Sequence, residues 1–129
     1  MKNLLDTHTF LWFFNDDSNL SDNAKNAILN PENENFVSII SIWEIAIKMS
    51  IKKYSFDGGL PALIKTIKAN NFTILSSIKE EYVKVVHNLT FHHKDPFDRM
   101  IIATAICEKM TLITADENIM QYNEINKLW

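Results

Sequence analysis

Lys2-Asn3-Leu4-Leu5-Asp6-Thr7-His8-Thr9-Phe10-Leu11-Trp12-Phe13-Phe14 contains the change of pattern on which the fold turns. Lys2 to Leu5 is a short apolar stretch of strand type, it stops at Asp6-Thr7-His8, and the aromatic run from Thr9 to Phe14 predicts a buried helix. Asp6 stands at the junction, where an aspartate also serves as an N-cap or turn residue.

The same strand-to-helix step recurs along the chain. Ser21 can cap a helix reaching Leu29, Pro31 breaks it, and Asn35 to Ile39 reads as a strand feeding a helix from about Ile42 to Lys53. Gly58-Gly59 marks a loop before a helix over roughly Pro61 to Ala69. Phe72 to Leu75 is a third strand, and Lys79 to His87 is a helix expected to turn Tyr82, Val83 and Val86 inward. Asp95-Pro96 combines a capping residue with proline at the first helical position, starting a helix that runs to about Lys109. Met110 to Ile113 is a fourth strand, Thr114 to Met120 a turn and short helix, and the segment ending in Leu128-Trp129 a short edge strand. Such alternation implies an α/β fold with a parallel sheet covered on both faces and right-handed crossovers. At 129 residues, the chain is expected to form one domain.

Composition narrows the function. With only two glycines, Gly58 and Gly59, no phosphate-cradling loop can be built, which removes the nucleotide-binding reading. The single cysteine, Cys107, falls in the apolar pattern of a helix and reads as a small core hydrophobe; with no disulfide framework, a reducing cytoplasm is expected. Asp6 interrupts the N-terminal apolar stretch, and Ser38, Ser41, Glu44 and Lys48 interrupt the one from Phe36 to Met49, so neither a signal peptide nor a membrane span is expected. A formal net charge of −3 argues against nucleic-acid binding by bulk attraction. A nuclease of this charge needs metal and a local basic rim, for which Lys48, Lys52, Lys53, Lys65, Lys68, Lys94 and Arg99, the one arginine, are candidates.

In a parallel sheet, ligands bind beyond the carboxyl ends of the strands, where strand order reverses. Asp6 follows the first strand, Glu44 is placed in the first turn after the second, Asp98 opens the Pro96 helix and Asp116 follows the fourth strand. A parallel sheet is expected to bring Asp6, Glu44 and Asp116 to one edge, where Asp98 can join them. Each also has a local explanation: Ser41-x-x-Glu44 and Asp95-x-x-Asp98 resemble capping boxes, and Asp116 suits a helix N-terminus. Convergence of the four demands a neutralising cation, and hard oxygen donors suit Mg2+ or Mn2+. His8, His87, His92 and His93 show no zinc-ligand spacing. A cation in such a cluster suits phosphodiester hydrolysis. Thr7, Ser41 and Thr114 can hydrogen-bond a carboxylate or water, and Lys48 can steady Glu44 across one helical turn. Asp95, fully explained as an N-cap, is placed beside these residues rather than among them. Trp12, Phe13, Phe14 and Trp43 read as packing residues rather than base-stacking ones.

Four segments then carry a resemblance: Leu4-Leu5-Asp6-Thr7-His8, Val37 through Lys48, His93-Lys94-Asp95-Pro96-Phe97-Asp98-Arg99-Met100, and Thr114-Ala115-Asp116-Glu117-Asn118. In this order the chain resembles the VapC group of PIN-domain proteins over nearly its whole length. The resemblance implies a three-layer α/β/α sandwich around a parallel sheet of about five strands. It implies an Mg2+- or Mn2+-dependent endoribonuclease, with Asp6, Glu44, Asp98 and Asp116 as ligands. It also implies a homodimer and a type II toxin restrained by a VapB-type antitoxin. Arg99 departs from the broader pattern, and it is expected to contact RNA phosphate or pair with a carboxylate. An aspartate-nucleophile phosphatase built on Asp6 would want a second aspartate two residues on, where His8 stands. A PIN-like module that binds RNA or protein without cutting is disfavoured because all four acidic positions are filled.

Overall fold

The computed structural model describes residues 1–129. β1 (Lys2–Leu5) leads to α1 (Thr7–Phe14), α2 (Asp22–Leu29), β2 (Glu34–Ser38), α3 (Ile39–Ser50) and α4 (Gly59–Ala69). β3 (Thr73–Leu75), α5 (Glu80–Asn88), α6 (Pro96–Glu108), β4 (Thr111–Ile113), α7 (Glu117–Met120) and β5 (Asn126–Leu128) complete it. The five strands pair in the order β3-β2-β1-β4-β5, all parallel, so the expected sheet and its edge strand β5 are present.

Because side chains alternate along a strand, β1, β2 and β4 each supply both faces of the sheet. Leu5, Val37 and Ile113 join Phe10, Ile28, Ile45, Leu63 and Ile67 in a core under α1 to α4. Leu4, Phe36 and Leu112 turn the other way, onto Ile101, Ile102, Ile119 and Tyr122 of the α5-to-α7 layer. α6 is buried over Ile101 to Ala105 without interruption, as expected of a helix enclosed between sheet and neighbouring helices.

Helix starts follow their caps. Ser21 Oγ accepts from Ala24 N at 3.1 Å, and Asp95 Oδ1 accepts from Asp98 N at 3.0 Å with Pro96 following. α1 begins at Thr7 rather than Thr9, because Asp6 is itself the N-cap. α3 departs further from expectation. It opens at Ile39, with Ser38 Oγ taking Ile40 N at 3.0 Å, so the expected capping box from Ser41 to Glu44 does not exist. Ser41 lies inside the helix, its buried Oγ without a partner, and Glu44 sits in the second turn instead of the first. Val83 points outward, 53% exposed, while Tyr82 is buried as expected. Cys107 is only partly buried at the end of α6 and is not a core residue. Its thiol is pushed up by burial and by the charges of Glu81 and Glu108, which makes it a poor nucleophile.

No helix is long and apolar enough to cross a membrane.

Candidate active site

Connections from β1 run outward through β2 to β3, and the chain then returns to place β4 on the opposite side of β1. The order therefore reverses between β1 and β4, and the crevice beyond their carboxyl ends is where a parallel sheet exposes a ligand site. Asp6 and Asp116 line a pocket of about 160 Å³ there, with His8, Trp12 and Ala115.

Asp6 is 5% exposed and held on both carboxylate oxygens. Oδ1 accepts from the backbone N of Thr9 at 2.9 Å and from its hydroxyl at 2.7 Å; Oδ2 accepts from the Thr114 hydroxyl. Burial raises the Asp6 carboxyl above its ordinary value, and these hydrogen bonds pull the other way. Thr114 Oγ1 also accepts from Asp116 N at 3.1 Å, so one threonine ties Asp6 to the N-cap of α7. Asp116 completes that cap through Oδ1, which accepts from Asn118 N at 2.8 Å.

Glu44 reaches α1 through Thr7, whose hydroxyl donates to Oε1 at 2.9 Å, and its Oε2 pairs with Lys48 at 3.2 Å one turn later on α3. Asp98 lies in the first turn of α6. Its carboxyl is pushed up to about 6, chiefly by burial and further by the charges of Asp95 and Asp116, against the hydrogen bond from His93. The charge of Asp116 is felt at Asp98, which places the start of α6 and the cap of α7 in the same electrostatic neighbourhood.

The pattern of a PIN domain matches residues 4–125 of this sequence. The chain belongs to the PIN-domain family. The fold is similar to VapBC2 from Rickettsia felis bound to a DNA fragment from their promoter, with a TM-score of 0.75 at 17% identity over 99% of this chain and 98% of that one. It is also similar to VapBC-1 from nontypeable Haemophilus influenzae, TM-score 0.68 at 18% identity, covering 99% and 97% of the two chains. FitAcB from Neisseria gonorrhoeae gives 0.66 at 14% identity, covering 98% and 96%. No curated protein matches the sequence.

In this PIN domain no three His, Cys, Asp or Glu side chains are gathered tightly enough to hold one ion. Each acidic side chain instead satisfies itself locally: Asp6 and Asp116 as caps, Glu44 through Thr7 and Lys48, Asp98 through His93. The donor set nevertheless fits a hard divalent cation. It is carboxylate oxygen, and burial has lifted the carboxyls of Asp6 and Asp98 to where a positive charge would favour their ionised forms.

Arg99 does neither of the things expected of it. It is 7% exposed and meets no carboxylate. Its guanidinium donates to the carbonyls of Thr90 at 3.1 Å, Val86 at 3.3 Å, Leu89 at 3.3 Å and His93 at 3.5 Å, and to the Tyr122 hydroxyl at 2.8 Å. Val86 and Leu89 belong to the carboxyl end of α5, the negative pole of that helix, which suits a cation. Among the other lysines proposed for a basic rim, Lys48 and Lys53 line a groove of about 470 Å³ that includes Thr7, His8 and Trp12, two of which also border the acidic pocket. Sequence reasoning assigns no role to Tyr122 and considers His93 as a ligand only to set zinc aside, yet these two residues connect Arg99 to Asp98.

Proposed function

We propose that residues 1–129 act as one domain hydrolysing RNA phosphodiester bonds, an endoribonuclease dependent on Mg2+ or Mn2+ held by Asp6, Glu44, Asp98 and Asp116. The observation carrying this reading is the pocket that Asp6 and Asp116 share at the reversal of strand order. A divalent cation held there would polarise the phosphate and make a nearby water easier to deprotonate for attack. The protein's own groups prepare the edge for it. Thr114 and Thr9 fix the orientation of Asp6, Thr7 and Lys48 fix Glu44, and Asp95 secures the turn that presents Asp98. Lys48 and Lys53 are the cations of the adjoining groove, where Lys48 also pairs with Glu44 and Asp17 lines the wall, and they are the side chains offered to an RNA backbone.

The same reading makes the protein a cytoplasmic, homodimeric toxin of a type II pair, restrained by a VapB-type antitoxin. Support comes from the family and from neighbours that are themselves VapBC complexes. The test is cleavage of mixed RNA by the purified protein with Mg2+ or Mn2+, with EDTA, and by Asp98→Asn. Cleavage that needs metal and vanishes in the variant supports the nuclease; a folded protein that leaves diverse RNAs intact would instead be a binding module.

A further inference from the structure

A chain of hydrogen bonds runs through the interior from Arg99 to Asp98. Arg99 Nη1 donates to Tyr122 Oη at 2.8 Å, Tyr122 Oη lies 2.9 Å from His93 Nδ1, and His93 Nε2 lies 3.1 Å from Asp98 Oδ2. Tyr122 is wholly buried and the His93 side chain is 10% exposed, so neither has water as a ready alternative.

The direction of each bond follows from donor inventory. A guanidinium carries donors only, so the tyrosine oxygen must accept from Arg99. Its single proton then has two destinations, His93 Nδ1 at 2.9 Å or the His93 carbonyl at 3.5 Å, and the shorter contact is the better bond. With Nδ1 accepting, the neutral imidazole carries its proton on Nε2, the nitrogen facing Asp98.

We propose that Arg99, Tyr122 and His93 position Asp98, setting the His93 tautomer so that Nε2–H holds Oδ2 and leaves Oδ1, which no protein hydrogen bond reaches, to face a cation. The proposal rests on the reading of Asp98 as a metal ligand. Its anchor is strong because Arg99 also grips the end of α5, and Tyr122 stands two residues past the end of α7, the helix that Asp116 caps. One phenol thus fixes the α6 carboxylate with respect to the element carrying Asp116. His93 and Tyr122 are positioning residues; neither need touch RNA.

Mn2+ binding to the RNA-free protein, followed by titration calorimetry, provides a readout separate from cleavage. His93→Ala and Tyr122→Phe are expected to weaken Mn2+ binding about 10- to 100-fold, the usual consequence of removing a partner behind a ligand. His93→Gln, which restores an N–H near the place of Nε2, is expected to recover most of that loss. Unchanged Mn2+ affinity in His93→Ala and Tyr122→Phe, with Asp98→Asn impaired, would overturn the relay alone. Unchanged affinity in Asp98→Asn would remove the ligand role of Asp98 and the relay with it. Nitrogen-15 NMR of His93 in the unsubstituted, metal-free chain tests the tautomer even if a variant fails to fold: protonated Nε2 is expected, and protonated Nδ1 with bare Nε2 would overturn the proposal.

Discussion

Replacing Arg99 with alanine removes a guanidinium that holds four carbonyls and a phenol in a region with almost no solvent. The two shortest bonds, to Tyr122 at 2.8 Å and to Thr90 at 3.1 Å, sum to about 3–6 kcal/mol when hydrogen bonds to a charged group contribute about 1.5–3 kcal/mol each. Relief from burying the cation offsets part of this sum, and the acceptors left dry around the vacated space add to it. The net loss expected is about 3–5 kcal/mol, the range for breaking a buried charged network. Since whole domains are stable by about 5–15 kcal/mol, this is a large fraction of the total. Urea unfolding followed by circular dichroism should show it directly: with a slope near 2 kcal/mol/M, the midpoint falls by about 2 M. Arg99→Lys should fall between the two, because a single ammonium cannot span the end of α5 and Tyr122 together as the planar fork does. A loss below about 1 kcal/mol in Arg99→Ala would refute the view that this side chain pins α5 to α6.

Three other outcomes follow from the acidic edge. Asp98 titrates near 6 in the folded protein against an ordinary 3.8, so the folded state binds more protons between those values and stability falls as pH rises through that window. Solvent screening of this partly exposed carboxyl keeps the fall below the roughly 3 kcal/mol that the full shift would give, and it should be missing from urea titrations of metal-free Asp98→Asn; an unchanged pH slope in the variant would contradict the origin assigned to it. Asp6→Asn should abolish RNA cleavage while keeping the α1 cap, whereas Asp6→Ala should also lose about 1–2 kcal/mol in chemical denaturation, since Asp6 caps as well as faces the pocket. Mn2+ at 100 times its dissociation constant should stabilise the protein by about 2.7 kcal/mol, seen as a rise in the melting temperature that EDTA reverses and Asp98→Asn blunts.

What was legible in the sequence is what local chemistry decides. The end of β1 at Leu5, the Ser21 cap and the Asp95-Pro96 start each depend on neighbours within a few residues, and they fall where the sequence puts them. Val37-Ser38-Ile39-Ile40-Ser41-Ile42 was harder. A strand buried on both faces loses its alternation, and two serines three apart can each cap, so the pattern alone could not choose Ser38 over Ser41. Arg99 was misread for a different reason. Beside an aspartate near a proposed metal site it reads as a surface cation, but its acceptors come from another helix and from a tyrosine 23 positions away. Tyr122 sits in a polar closing segment with no local mark of burial, and His93 meets it across 29 positions. The acidic residues stood out because strand ends are readable; the scaffolding behind Asp98 is tertiary and was not.

Tryptophan placement has an optical consequence. The chain has three: Trp12 borders the pocket of Asp6 and Asp116, Trp129 packs on Trp12 with ring centroids 5.7 Å apart, and Trp43 meets Phe97, the residue before Asp98, at 5.2 Å. Every indole therefore reports on the surroundings of the acidic edge, and none is spent on a remote part of the molecule. If the proposed nuclease reading holds, intrinsic emission of the unlabelled protein should change on adding Mn2+ or RNA, with Trp12→Phe and Trp43→Phe separating the signal of the pocket from that of the start of α6.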